Sequence, residues 1–265
     1  MITDLLALVD LGEADIDFLA RARRFAEAHQ AALRLCVAAP VPSLDYALAM
    51  EGGYAVADDL ADGARDKARR LAAASGGRAE IVSLGGEPGD LLETLARLAR
   101  AADLVLVGPP ATFGDPGFRR RAAETLALTS GRPVLLLPAS GMTDRFRHIV
   151  VGWNGSREAA RALNDTLPLL DPGTRIDVVA AGRAAADAGL DDICAHLRRR
   201  GHNAVPHRLD GKGEASDLLL RFGRHAGADL LAVGAYSRPR LSEVILGGAT
   251  RDLLDGAGLP ILLSH

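Results

Sequence analysis

Short, continuous apolar runs recur along the chain and alternate with longer stretches in which apolar residues return every third or fourth position. Leu104-Val105-Leu106-Val107 and Leu230-Leu231-Ala232-Val233 are typical of the short runs. With no polar alternation, they read as strands covered on both faces, as in a parallel sheet. The pattern predicts strands over 4–9, 32–37, 78–84, 104–107 and 133–137, with helices over 13–29, 58–74, 89–101 and 120–129. It then starts again, with strands over 148–153, 175–180, 204–208, 230–233 and 260–263 and helices over 157–170, 185–200, 214–226 and 249–255. Strands and helices alternating at this length imply parallel sheets with helices on both faces.

The second half repeats the first. Ala102-Asp103-Leu104-Val105-Leu106-Val107-Gly108 matches Ala228-Asp229-Leu230-Leu231-Ala232-Val233-Gly234, and Gly131-Arg132-Pro133-Val134 matches Gly258-Leu259-Pro260-Ile261. Val9-Asp10, ending the first strand, matches Trp153-Asn154. The offset is larger there, so the first half carries extra residues within 40–77, a connection holding Tyr46, Met50, Gly52, Gly53 and Tyr54. A repeat of this length turns a chain of 265 residues from one large domain into two related ones. We place the domains at 1–140 and 146–265, with the polar stretch 139–147 between them.

Local signals agree with these elements. Ser156 before Arg157-Glu158-Ala159-Ala160 suits a helix N-cap. Gly201 after three arginines suits a helix stop. Asp171-Pro172-Gly173 reads as a turn.

Composition narrows the function classes. Hydrophobic residues make up 48% and charged residues 25%, the balance of a globular protein. The net charge of −3 gives no general attraction for nucleic acid or an anionic membrane. Only Lys67 and Lys212 are lysines, and the tight basic run Arg119-Arg120-Arg121 is expected on a solvated loop or helix face. Residues 1–11 carry Asp4 and Asp10 and lack a basic start, so no secretory leader is expected, and no apolar stretch is long enough to cross a bilayer. The expected compartment is the cytoplasm. Cys36 and Cys194 do not form a Cys-x-x-Cys pair, which argues against zinc or disulfide chemistry.

Candidate chemistry concentrates in 229–251. A strand closed by Gly234 leads to a loop with Arg238, Pro239 and Arg240, then to Gly247-Gly248, and then to the helix expected from Ala249. Glycines let a backbone approach a phosphate closely, and unpaired N–H groups at a helix start point at an anion. The same shape also serves simply to turn a chain. Arg238 and Arg240 could reach phosphate oxygens or stay solvated. A second strand end, Gly152-Trp153-Asn154-Gly155-Ser156, should lie beside Gly234, because open parallel sheets bind ligands beyond the C-terminal strand ends. There Trp153 could stack on a base or merely pack. Cys194, His196, His202 and His207 suggest a metal only weakly.

The run from Gly234 resembles the nucleotide-binding segment of the universal stress protein family: glycine, two residues, glycine, nine residues, glycine, then serine or threonine. Gly234 holds the first position and Ser237 stands at the second; nine residues later come Gly247 and then Gly248, with Thr250 two residues on. The spacing is kept and two of the marked positions differ. The resemblance covers the whole chain and implies two tandem Rossmann-like units of the adenine nucleotide alpha hydrolase-like type. Each would be a five-stranded parallel sheet flanked by helices, the two packed as a pseudo-two-fold dimer through strands 133–137 and 260–263. It implies an adenine nucleotide, ATP or AMP, with or without Mg, bound in the second unit as a sensor or regulator. The residues implied are Gly152, Trp153, Asn154, Ala180, Val233, Gly234, Ser237, Arg238, Gly247, Gly248, Ala249 and Thr250. In that family the position of Asn154 is normally an aspartate that helps hold adenosine, and Ala180 would be a wall for the adenine ring.

The first unit has Asp10 at the acidic position, but its loop begins Gly108-Pro109-Pro110 and Arg121 stands where the glycine should be. Prolines remove N–H donors that a phosphate needs, so no nucleotide is expected there. No P-loop, dinucleotide fingerprint or nucleophile elbow appears, so we expect no catalytic residue and no enzyme beyond a slow ATPase. The alternative reading is a nucleotide-free module that recruits a protein partner under stress. A homodimer of the whole chain is compatible with either reading.

Overall fold

The computed structural model describes residues 2–12, 15–41, 53–139, 143–182, 189–211, 213–235 and 258–265. Of the expected site residues, Ser237, Arg238, Gly247, Gly248, Ala249 and Thr250 lie outside these, as do Arg240 and the helix expected over 249–255. So do Tyr46, Met50 and Gly52 of the long connection. The chain is an α/β protein with mostly parallel sheets, and it divides into two compact units, residues 2–132 and 133–265.

In the first unit, β1 (Asp4–Val9), β2 (Ala32–Pro40), β3 (Glu80–Gly86) and β4 (Leu104–Val107) form a parallel sheet in the order β3-β2-β1-β4. The helices are α1 (Asp15–His29), α2 (Gly53–Ser75), α3 (Pro88–Ala99) and α4 (Pro116–Thr129). All four residues of β4 are buried, as a strand covered on both faces requires. The extra residues of the first half lengthen α2, which runs for 23 residues where its counterpart in the second unit has 10. α4 starts four residues before the expected 120 because Asp115 caps it, accepting the Gly117 N–H at 2.7 Å, with Pro116 at the first helical position.

The second unit contains β6 (Phe146–Gly152), β7 (Leu170–Ala181), β8 (Asn203–Leu209), β9 (Leu230–Gly234) and β10 (Ile261–Ser264), parallel and in the order β10-β9-β6-β7-β8. Its described helices are α5 (Arg157–Thr166), α6 (Leu190–Arg199) and α7 (Ala215–His225). The division of the chain falls before β5 (Val134–Leu136) because that strand, which closes the first sequence repeat, pairs antiparallel with β10. α5 stops at Thr166 rather than near 170, since Pro168 cannot continue it and a 3-10 turn follows. The expected turn at Asp171-Pro172-Gly173 is an excursion within β7: Phe146 pairs with Leu170 but His148 pairs with Arg175, and Gly173 takes φ +87°.

The repeated Ala-Asp-Leu sequence has a structural cause. In the first unit the Asp103 carboxylate accepts the N–H groups of Thr3 and Asp4 at 2.7 and 3.1 Å. In the second, Asp229 accepts those of Arg147 and His148 at 2.8 and 3.0 Å. Each aspartate thus satisfies donors where the neighbouring first strand begins, and the repeat there records strand registration.

Candidate functional site

In each unit the first strand pairs with the second on one side and with the fourth on the other. Strand order therefore reverses between β1 and β4 and between β6 and β9, where an open parallel sheet forms a crevice at its C-terminal edge. The two crevices differ.

At the second, Gly152 is the register partner of Val233 in β9 and of Val179 in β7, so Ala180 lies one residue beyond that row. The Trp153 N–H continues the ladder to the Val179 carbonyl at 2.8 Å, and Asn154 ends the strand. The Asn154 side-chain oxygen accepts the Ser156 N–H at 3.1 Å, an Asx turn that Gly155 completes at φ +74°. Ser156 then caps α5, its hydroxyl accepting the Ala159 N–H at 3.2 Å. Thus Gly152, Trp153, Asn154, Ala180, Val233 and Gly234 end three adjacent strands at one edge. Ala180 is wholly buried and Asn154 is exposed.

Both glycines have a packing reason to be glycine. A Cβ on Gly234 would lie 2.5 Å from the Glu158 carbonyl carbon and 2.6 Å from the Ala159 nitrogen, so the first turn of α5 rests on Gly234. A Cβ on Gly152 would lie 2.8 Å from Leu219 Cδ1. Glu158, buried in that first turn, was not singled out from the sequence; its only signal is an acid in the first turn of a capped helix. It is paired with Arg157, whose guanidinium holds the carboxyl below the usual range.

The first crevice is filled by the chain itself. The buried Asp10 carboxylate accepts the N–H groups of Gly12 at 2.7 Å, Gly114 at 2.7 Å and Asp115 at 3.2 Å. The loop after β4 crosses so closely that a Cβ on Gly12 would sit 2.4 Å from the Phe113 carbonyl carbon. Arg119 is buried beneath, its Nε donating to the Gly108 carbonyl at 2.7 Å and its guanidinium lying 6.0 Å from the Phe113 ring centre. Arg119 belongs to the basic run that the sequence suggested would be solvated; at this position the run turns inward to satisfy a carbonyl at the end of β4. Burial pushes the Asp10 carboxyl up, against the three backbone donors and nearby Lys67.

The histidines suggested from sequence do not gather round a metal site, and among the described residues no cluster could hold one. His207 instead lies 3.2 Å from the carboxylate of Asp177, which is completely buried in the middle of β7. His148 from β6 donates its Nε2 hydrogen to the same carboxylate at 2.8 Å, and Arg175 donates to both of its oxygens at 3.0 Å. Burial would raise the Asp177 carboxyl, but these partners outweigh it and hold it low. Sequence reading missed this cluster because its members come from three strands, and only the sheet register sets them side by side.

The fold is that of a tandem α/β protein with a reversal of strand order in each unit. No protein-family model matches the chain, and no curated protein matches it. Among solved structures, a universal stress protein from Archaeoglobus fulgidus is 14% identical with a TM-score of 0.69, over 98% of this chain and 95% of that one. A functionally unknown protein from Pseudomonas aeruginosa is 15% identical with a TM-score of 0.55, over 99% of this chain and 92% of that one. The shared property is the fold, across essentially the full length of each. Among the described residues, no helix is long and apolar enough to cross a membrane.

Proposed function

We propose that this chain is a tandem universal stress protein whose second unit binds an adenine nucleotide, ATP or AMP, as a sensor or regulator in the cytoplasm. The observation that carries the reading is the crevice between β6 and β9, where Gly152, Trp153, Asn154, Ala180, Val233 and Gly234 end adjacent strands. In this reading the Asn154 amide bonds the adenosine, and Ala180 and Trp153 flank the base. Ser237, Arg238, Gly247, Gly248, Ala249 and Thr250 take the phosphates, with Mg as their counterion. The protein acts by binding and holds no catalytic residue; at most it turns ATP over slowly. In this reading the nucleotide state governs a protein partner.

A second reading, a nucleotide-free interaction module, draws on a different observation. The first turn of α5 already has Ser156 and Glu158 at its donors, Arg157 is paired with Glu158, and Asn154 brings no charge to the crevice. One experiment separates the two. Protein purified from cells is denatured and any released small molecule is identified by mass; ATP is then titrated into ligand-free protein by calorimetry, with Gly247→Asp as the control. Released ATP or AMP, with binding abolished in the variant, supports the sensor. A blank extract and no heat at millimolar ATP would leave the interaction module.

A further inference from the structure

We propose that the first crevice is held shut by a two-point lock, in which the Asp10 carboxylate pins the loop after β4 and Lys67 of α2 pins the loop after β1. This concerns the first unit alone and stands apart from the ligand of the second. Lys67 is 2% exposed, an unusual place for an ammonium group. Its Nζ donates to the Gly12 carbonyl at 2.6 Å and lies 3.2 Å from the Asp15 carboxylate. Gly12 is therefore held from two sides: its N–H by Asp10 and its carbonyl by Lys67. Asp10 in turn carries the N–H groups of Gly114 and Asp115, so that α2, the loop after β1 and the loop after β4 share one continuous hydrogen-bonded path.

This gives the lengthened α2 a purpose. Ala64, Lys67 and Leu71 share its buried face, and a Cβ built on Gly63 would lie 3.9 Å from Leu11 Cδ1, so the added turns bring the helix over the mouth of the crevice. The carboxylate and the backbone donors that meet at this mouth satisfy one another. An incoming anion would have to displace Asp10 from three N–H groups and separate Lys67 from Asp15, in a setting where unpaired polar groups are costly. The two prolines in the loop after β4 remove donors; the lock removes access.

The test is amide hydrogen exchange on the full chain and on Lys67→Met, which keeps the side chain's length without its charge. The expected result is exchange accelerated at least about tenfold in both 10–12 and 113–117, with the strand cores 5–8 and 104–107 unchanged. Asp10→Asn, which places an amide N–H toward the Asp115 N–H, should accelerate 113–117 in the same way. Acceleration confined to 10–12, a uniform change through the whole unit, no change at all, or a Lys67→Met chain that does not fold would each overturn the lock.

Discussion

Adding one methyl group at Gly234 separates two reasons for that residue to be glycine. If its role is only to admit a ligand, Gly234→Ala leaves the ligand-free protein as stable as before. The structure says otherwise: the new Cβ would lie 2.5 Å from the Glu158 carbonyl carbon, 2.6 Å from the Ala159 nitrogen and 2.8 Å from Glu158 Cβ. Two of these three are backbone atoms in the first turn of a capped helix, so relief requires α5 to move off β9. Overpacking of this kind costs about 1–3 kcal/mol. With a urea m-value of about 2 kcal/mol per molar, the midpoint should fall by about 0.5–1.5 M. Gly152→Ala is the internal comparison. Its Cβ would meet Leu219 Cδ1 at 2.8 Å and Val233 Cγ1 at 3.0 Å, both ends of side chains that can rotate. Its cost should stay at the low end, about 1 kcal/mol. Both midpoints are measured by circular dichroism in nucleotide-free buffer. A Gly234→Ala midpoint equal to the parent's, or higher than that of Gly152→Ala, would refute the packing argument.

Two further outcomes follow from buried groups. The folded Asp177 carboxyl is held low by Arg175, His148 and His207 against burial, so its stabilisation is present above the unfolded pKa of about 4 and is lost as pH falls through the folded value. Asp177→Asn should therefore cost about 2–4 kcal/mol at pH 7, and urea midpoints should show the gap to the parent narrowing between about pH 5 and pH 3; a gap constant across that range would contradict the assignment. Asp10, raised by burial, shifts stability in the opposite sense, but equally in parent and variant. Burial also pushes the Cys36 thiol up to about 12 and raises that of Cys194. A chromogenic disulfide reagent at pH 8 should find neither thiol until the chain is unfolded; rapid reaction of one equivalent in the native protein would refute this.

The alternation of apolar runs and helical periodicity determined the α/β class, the strands and the doubling of the unit, because these depend on local pattern and on residues close in sequence. β4, β9, α1 and α3 stand close to where the pattern places them. The sequence also marked the strand ends at Gly152 and Gly234. It could not show that Gly234 is pressed by α5 or that β5 pairs with β10, since each depends on segments far apart in the chain. Lys67 carried a faint signal, one of only two lysines in a chain that mostly uses arginine, and it lies on the buried face of a helix. Its partners at Gly12 and Asp15 lie 55 and 52 residues away, and nothing in the local pattern names them. The same holds for Asp177: Arg175 is its neighbour on β7, but His148 and His207 reach it only because parallel register sets β6, β7 and β8 side by side. Burial and charge balance are properties of the assembled sheet. Tertiary structure therefore decided that one crevice is filled by its own carboxylate, while the other ends in an uncharged asparagine at its rim.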